Sequence, residues 1–182
     1  LGLDSNTKIV GNLSALADHK DYPTFLRTAA EVIKEDPTIH FIIAGQGPEE
    51  NRIQKMIRSL HLEGNVHMLG FRDDIVDVMK SLDLFLITSK TEGLGTIVLE
   101  AFAAGVPVVA TRAGGIPEMV EDTVTGLLAE PGDTESLKNA TLRVLTDPLL
   151  KNTFVQNALT RVQDFSYQAT AEKTLEIYKR SE

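Results

Sequence analysis

The sequence predicts an α/β fold in which a doubly wound, Rossmann-like parallel sheet is followed by a helical C-terminal tail. Six short apolar runs, each bounded by glycine, proline or polar residues, have the length and composition of buried strands. Segments with helical spacing separate these runs, and such alternation is typical of βαβ units with right-handed crossovers. After Leu128 the strand-like runs stop and helical patterns alone continue.

The elements follow in a regular order along the chain. The predicted strands span residues 8–13, 40–44, 66–69, 84–88, 107–111 and 126–128. Two segments between them place their apolar residues on one helical face, namely Phe25, Leu26, Ala29, Val32 and Ile33, then Ile53, Met56, Ile57 and Leu60. The tail repeats this spacing at Leu137, Leu142 and Leu145, at Phe154, Ala158, Val162 and Phe165, and at Leu175 and Tyr178.

Composition limits the domain organisation and the class of partner. With 182 residues, 42% of them hydrophobic, and no repeat or linker, residues 1–182 are expected to form a single domain. The 18 basic and 26 acidic residues give a formal net charge of -8, which disfavours nonspecific binding to nucleic acid. The absence of cysteine excludes disulfides and thiolate metal sites and agrees with a cytoplasmic location.

The longest apolar segment, residues 96–109, is interrupted by Glu100, Gly105 and Pro107. It falls short of the roughly 20 apolar residues of a bilayer span, so we expect a soluble chain. Because residue 1 is leucine and not methionine, we expect a leader or an upstream domain to precede it.

The loops beyond the carboxyl ends of the strands are the candidate sites, because ligands of open parallel sheets bind there. The most unusual of them is TEGLGTIVLE, residues 91–100. Its two glycines would let a ligand approach the backbone, and a helix predicted to begin near Thr96 would present its first amides to that point. This arrangement predicts a phosphate site without a lysine of its own.

The two glutamates of this segment have different expected positions. Glu92 lies in the loop, and Glu100 lies roughly 6 Å farther along the helix axis, so we expect them not to touch. Each carboxylate suits a vicinal diol, and a diphosphate between them fits a nucleotide-sugar. Two surface charges are the other interpretation, but Val98 and Phe102 flank Glu100 with apolar groups, where an unpaired carboxylate would be costly.

The loop after the first strand contains Lys20, close before a helix expected to begin near Pro23. Lys20 could supply the positive charge that a phosphate needs, and a solvated loop lysine is the equally weighted alternative. Gly45 and Gly47 predict a tight strand-to-helix turn that permits close backbone approach at most, because the third glycine or the lysine of nucleotide-binding loops is missing.

Two further loops point to the same edge. In GFRDD an aspartate is expected to cap the next helix, and Arg72 could still face a ligand. In RAGGIPEMV, Gly114 and Gly115 form another bare backbone loop before a short helix. Several anion-friendly loops are therefore expected to converge there.

The run TSKTEGLGTIVLEAFAAGVPVVATRAGGIPEMVEDTVTGLL resembles the E-x7-E region and the following Gly-Gly loop of the retaining glycosyltransferases of family 4. VGNL, FIIAGQGPEE and VHMLGF also match, and the resemblance covers about residues 8–165. It implies one half of a GT-B fold, the donor-binding half. It also implies a UDP-, GDP- or ADP-linked sugar as donor, with an N-terminal acceptor-binding domain absent from this chain.

The resemblance implies a role for each matching residue. Glu92 would contact the transferred sugar, Lys20 the phosphate, and Glu100 the ribose hydroxyl groups. The expected diphosphate contacts are the backbone amides of Leu94, Gly95 and Thr96. The expected neighbours of the base are Gly70, Phe71 and Arg72. Asn12 departs from the pattern, because it occupies the donor-site position where the family usually has an arginine, and it cannot supply that charge.

The implied reaction of the intact protein is transfer of a hexosyl unit, with retention at the anomeric carbon, to a sugar, lipid-linked or other acceptor. Charge on the leaving diphosphate would be stabilised electrostatically by Lys20 and the loop amides. The chain has no clustered Asp/His ligand set, so we expect no metal. The full-length protein is expected in the cytoplasm, with peripheral association at the inner face of a membrane as a further option.

Three alternatives stay open. A nucleotide-sugar 2-epimerase shares the GT-B architecture, although the E-x7-E run favours transfer. A glycoside hydrolase would need two carboxylates flanking one bond, which fits poorly with a diphosphate between them. The third alternative is a donor-binding module that does not turn over in isolation.

Overall fold

The computed structural model of the protein describes residues 2–4 and 6–180, which contain a six-stranded parallel sheet. Its strands are β1 (Ile9–Leu13), β2 (His40–Ala44), β3 (Val66–Gly70), β4 (Leu84–Ile87), β5 (Val108–Thr111) and β6 (Gly126–Ala129). No strand end differs from its predicted position by more than one residue. All six predicted strands are therefore confirmed.

The helices alternate with the strands and then continue alone. They are α1 (Tyr22–Glu35), α2 (Glu50–Ser59), α3 (Ile75–Lys80), α4 (Ile97–Ala103), α5 (Ile116–Met119), α6 (Thr134–Thr146), α7 (Pro148–Arg161) and α8 (Tyr167–Arg180). Short 3-10 helices lie at Asp18–Lys20 and Val162–Phe165. The helical tail after β6 is confirmed.

The strand order in space is β3-β2-β1-β4-β5-β6, and it reverses between β1 and β4. β1 pairs in parallel with β2 on one side and with β4 on the other. The crevice beyond the carboxyl ends at such a reversal is where open α/β sheets bind ligands. The predicted doubly wound, Rossmann-like sheet is therefore confirmed, and it places the loops after β1 and β4 side by side.

Two apolar cores lie on the two faces of the sheet, because strand side chains alternate. On β2, Phe41 and Ile43 belong to one core, and Ile42 and Ala44 belong to the other. α1 covers the first face, where the ring of Phe25 meets that of Phe41 edge to face at a centroid distance of 5.8 Å. Burying a ring of this size stabilises a fold by about 1.5–3 kcal/mol. Burial on both faces explains why the strands are continuous apolar runs.

α1 begins near Pro23, as predicted, because Asp21 caps it. The Asp21 carboxylate accepts hydrogen bonds from the amide and, at 2.7 Å, the hydroxyl of Thr24. The Thr88 hydroxyl, just after β4, donates to the carbonyls of Lys20 and Asp21 at 3.2 and 3.1 Å. These bonds tie the start of α1 to the loop after β4 and thereby position Lys20.

The terminal helix α8 contributes little to either core. Its large apolar side chains are exposed, and they are Tyr167, Leu175, Ile177 and Tyr178. The apolar spacing therefore predicted the helix, while its apolar residues remain at the surface of this chain. In the described ranges, no helix has the length and apolar content needed to cross a bilayer.

Candidate functional site

A cleft of about 460 Å³ lies at the carboxyl edge of the sheet, where the loops after β1, β2 and β3 approach α4. Its walls include Ser14, Gln46, Phe71, Ile75, Ile97 and Glu100. Mostly apolar walls with a few polar groups are typical of small-molecule sites. The sheet reversal therefore does coincide with a pocket of ligand size.

Lys20 and Glu92, which are not among the residues that line this cleft, form a largely buried ion pair. Lys20 Nζ lies 2.6 Å from Glu92 Oε1, and the exposed fractions of the two side chains are 15% and 8%. The hydroxyl of Ser89 donates to the same Oε1 atom at 2.6 Å. Glu92 Oε2 is neither hydrogen-bonded in the described part of the chain nor among its buried unpaired atoms, which leaves it facing solvent.

The surrounding fold holds this pair from two sides. The buried hydroxyl of Thr111, at the end of β5, donates to the carbonyl of Ser89 at 2.7 Å. The amide of Lys90 donates to the carbonyl of His19 at 2.8 Å. The loop after β1 and the loop after β4 are thus bonded to each other, and this is why Lys20 and Glu92 meet although 72 positions separate them in the chain.

Glu100 has a different environment from the one predicted. Its side chain is exposed and lines both the main cleft and a neighbouring cleft of about 290 Å³ between α3 and α4. It makes no hydrogen bond or ion pair with any residue in 2–4 and 6–180. Val98 and Phe102 do not enclose Glu100, because they point into the core from the opposite face of α4, so the predicted cost of an unpaired carboxylate does not arise.

The loop between Glu92 and α4 leaves several amides available. The backbone N–H groups of Leu94, Gly95 and Thr96 donate no hydrogen bond within the described residues. Gly95 has φ 67°, a conformation that favours glycine, and the Leu94 side chain is 69% exposed. α4 spans only seven residues, so its dipole is weak. The unpaired loop amides are therefore the stronger candidates for binding an anion.

The loop after β3 lies at the far side of the cleft. Gly70 has φ 67°, and its carbonyl accepts a hydrogen bond from the Gly45 amide at 2.8 Å. Phe71 is 68% exposed and contributes to the cleft wall. Arg72 forms a bidentate pair with Asp74, which raises the pKa of Arg72 and lowers that of Asp74 through side-chain hydrogen bonds. The expected aspartate cap is therefore not formed, since Asp74 binds Arg72 instead.

Asn12 is a buried connector within the fold. Its Nδ2 donates to the carbonyl of Leu86 at 2.8 Å, and its Oδ1 accepts from the hydroxyls of Ser14 and Tyr22 at 2.7 and 3.0 Å. Burial raises the pKa of Tyr22 to about 12. Asn12 is 3% exposed, and its hydrogen bond to Ser14 connects it to the wall of the cleft; its place in the donor site stays a prediction.

The paired glycines allow loops to pack on each other. A Cβ at Gly45 would lie 2.0 Å from the carbonyl oxygen of Ser14, and one at Gly114 would lie 1.7 Å from that of Glu92. The amide of Gly115 also donates to the carbonyl of Gly93 at 2.9 Å. The close approach predicted at Gly45 is therefore an approach between two segments of the protein. The loop at Gly114 packs directly against the loop that carries Glu92.

Sequence reasoning did not single out Ser89 or Tyr22. Both are polar side chains buried at ends of core elements, and such residues need hydrogen-bonding partners. Thr88 and Ser89 directly follow the apolar run of β4, and this polar pair is the sequence signal that could have identified Ser89. Among the described residues there is also no group of three or more potential ligands that could hold a metal ion.

The comparisons with known proteins identify the family of the chain. Residues 1–161 match the family model described as glycosyl transferases group 1. The chain belongs to this family. One relative is N-acetyl-alpha-D-glucosaminyl L-malate synthase of Bacillus anthracis, 31% identical over 98% of this chain and 46% of its own length. Another is D-inositol 3-phosphate glycosyltransferase of Corynebacterium jeikeium, 31% identical over 98% of this chain and 45% of its own length.

Solved structures of other proteins contain a domain that is similar to this chain. Anabaena HepE in complex with UDP is 31% identical, with a TM-score of 0.88 over 97% of this chain and 50% of that one. A variant of S. aureus TarM in complex with fondaparinux, alpha-GlcNAc-glycerol and UDP is 26% identical, with a TM-score of 0.88 over 98% and 37%. The predicted similarity to the C-terminal domain of a GT-B glycosyltransferase is confirmed. The chain spans about half the length of the curated relatives it matches.

Proposed function

We propose that this chain is the donor-binding domain of a retaining glycosyltransferase that transfers a hexosyl unit from a nucleoside diphosphate sugar. The observation that carries this proposal is the position of the free amides of Leu94, Gly95 and Thr96. Glu92, which is bonded to Lys20, precedes these amides in the same loop, and Glu100, which lines the cleft, follows them in α4. A diphosphate on those amides would direct its two polyol ends to two different carboxylates.

The cleft suits the nucleoside end of the donor. Phe71 offers an exposed ring edge or face for a base, and the unpaired Glu100 carboxylate can accept both hydroxyl groups of a ribose. Gly70, with its positive φ, lets the backbone turn toward the base. We assign the base to the wall formed by Phe71 and Arg72, as the family resemblance implies. UDP is the first nucleotide to test, because related structures contain it.

The sugar end would face Glu92. Its solvent-facing Oε2 atom can accept a hydrogen bond from a hexose hydroxyl while Oε1 keeps its protein partners. As the bond to the diphosphate breaks, negative charge grows on the leaving oxygens. The loop amides are free to stabilise this charge, and Lys20 would join them once it turns from Glu92; such groups stabilise charge effectively at a site that excludes water. The proposed mechanism uses no metal.

The acceptor half of the reaction belongs to a part of the protein outside this chain. The curated relatives are about twice as long as the segment they share with it. We therefore propose that an N-terminal domain binds the acceptor, a sugar, a lipid-linked sugar or another hydroxyl compound, and that this chain alone does not turn over. The domain organisation, the cytoplasmic location and a peripheral association with a membrane belong to the same proposal.

Calorimetric titration of the chain with UDP, GDP and ADP, each bare and as a sugar conjugate, tests this function. We expect one nucleotide to bind, and Glu100→Ala to weaken it roughly 10- to 100-fold, as expected for loss of hydrogen bonds to a charged group. Glu92→Ala should mainly lower the preference for the sugar conjugate. Glu63→Ala, at an exposed carboxylate in the loop before β3, is the control. Equal and negligible effects of both site variants would remove the assignment.

A further inference from the structure

The two groups proposed to bind opposite parts of the donor are bonded to each other in this structure. Lys20 Nζ and Glu92 Oε1 are 2.6 Å apart, and both side chains are largely withdrawn from water. Interactions between charges in such surroundings are stronger than at an exposed surface. The affinity of the site for a diphosphate therefore depends on Glu92 as well as on Lys20.

We propose that Glu92 weakens the binding of a free nucleoside diphosphate by competing for Lys20, and that the sugar of an intact donor offsets this effect. This inference rests on the proposed function. The carboxylate has two protein donors, Lys20 and Ser89, and both contact Oε1. When Lys20 turns toward a diphosphate, Glu92 keeps the Ser89 hydroxyl and becomes a negative charge beside a second anion.

An intact donor changes this balance through its sugar hydroxyl groups. They are hydrogen-bond donors, and the solvent-facing Oε2 atom of Glu92 is free to accept from them. A bare diphosphate brings no such donors, so its binding leaves the carboxylate with Ser89 as its protein donor and a second anion beside it, which is costly for a largely buried charge. The same residue would thus select the donor before transfer and favour release of the nucleoside diphosphate after it.

The surrounding charges do not duplicate this role. Asp18 is exposed and lies within 3.6 Å of Arg52 and 3.4 Å of Lys90. Asp21 is buried, but its carboxylate is hydrogen-bonded to Thr24. Glu92 is the carboxylate bonded to the Lys20 ammonium within residues 2–4 and 6–180.

Titration of wild type and Glu92→Gln with UDP and UDP-glucose tests the inference, with GDP and GDP-mannose in parallel. The amide keeps the size of the side chain and removes its charge. We expect Glu92→Gln to bind the bare diphosphate roughly tenfold more tightly and to lose most of its preference for the sugar conjugate. Unchanged or weaker binding of the bare diphosphate would overturn the inference.

Asp18→Asn is the matched control, because it removes one nearby negative charge without touching Lys20 Nζ. We expect less than a roughly twofold change in diphosphate affinity, as for screened surface charges. An equal gain in this variant would show a general charge effect and overturn the inference.

A second measurement does not depend on the variant folding. In the wild-type chain, UDP should shift the carboxyl ¹³C resonance of Glu92, because Lys20 leaves Glu92 for the diphosphate. No shift at saturation would contradict this change of partner. If wild type binds no nucleotide, the proposed function itself fails. If wild type binds and Glu92→Gln shows no gain, the failure is confined to the inference about Glu92.

Discussion

The two glutamates of the E-x7-E segment lie on opposite sides of one short loop, and their surroundings are opposite too. Glu92 is largely buried and bonded to Lys20 and Ser89, whereas Glu100 is exposed and unpaired within the described residues. The chain around Glu92 is rich in glycine, and the chain around Glu100 is apolar. The apolar neighbours of Glu100 in the sequence therefore did not predict its exposure, which tertiary packing decides. Burial of a carboxylate depends on which loops close over it.

The largest expected effect comes from disrupting the contact between the Gly114 loop and the Glu92 loop. In Gly114→Ala the new Cβ would lie 1.7 Å from the Glu92 carbonyl oxygen, at a φ of 52°. We expect a loss of about 3 kcal/mol or more in the free energy of unfolding, because overpacking and backbone strain add. Urea denaturation measures it, and diphosphate binding should be lost as well.

The control for that variant is Gly132→Ala. Gly132 also has a positive φ, of 82°, but a Cβ there would meet nothing within 4 Å. Strain alone should cost about 1–2 kcal/mol. If the two variants are equally destabilised, the contact between the Gly114 loop and the Glu92 loop has no special importance.

The next prediction contrasts the two sides directly. Lys20→Met should lower the free energy of unfolding by about 2 kcal/mol, because it strands the Glu92 carboxylate in a largely buried position. Glu100→Ala should change it by less than about 0.5 kcal/mol, because its side chain is exposed and has no partner to lose. Chemical denaturation of both variants measures the difference, and similar values would contradict the contrast.

A smaller effect is expected from removing the hydrogen bond between Ser89 and Glu92. Ser89→Ala removes one hydrogen bond to Glu92 Oε1 and should cost about 1 kcal/mol of stability. Because Ser89 positions Glu92, it should also reduce the preference for a sugar conjugate over a bare diphosphate. Ser136→Ala, which removes an exposed hydroxyl that donates to Asp133, is a control for loss of a hydroxyl. Stability loss without any change in preference would limit Ser89 to a structural role.

The smallest effect concerns a half-buried polar pair outside the site. His40 Nδ1 and His67 Nε2 lie 2.9 Å apart on β2 and β3, and burial and the neighbouring His40 lower the pKa of His67. A lowered pKa means that the folded state favours the neutral ring. The corresponding stability is present above the unfolded-state pKa near 6.5 and is lost as the pH falls below it. Thermal denaturation from pH 8 to pH 5 should show a small decline, which His67→Gln reduces.

The fold was accessible from sequence because its signals are local. The run HFIIA, at residues 40–44, is apolar on both faces of a strand, and such runs need no partner to be recognised. Pro23 similarly predicted where α1 begins, and the structure adds the cap formed by Asp21. The aspartate cap of α3 failed because Arg72 competes for Asp74, and propensity does not encode that competition.

The site was accessible in part. The candidates Glu92, Lys20 and Glu100 followed from residue type and from the family resemblance, and their roles in donor binding stay predictions. Asn12 was interpreted from its place in the VGNL motif, but its side chain turns into the fold and bonds to Leu86 and Tyr22. Ser89 was missed because its partner is defined by loop conformation and not by spacing.

The sequence by itself determined the alternation of strands and helices, the family and the identity of the charged residues at the carboxyl edge. Apolar period and glycine positions are properties of neighbouring residues, so they can be read from the chain alone. The tertiary structure decided that Lys20 reaches Glu92 across 72 positions and that Glu100 stays exposed. Burial and ion pairing are properties of segments distant in the chain, and packing of β1 beside β4 is what brings those segments together.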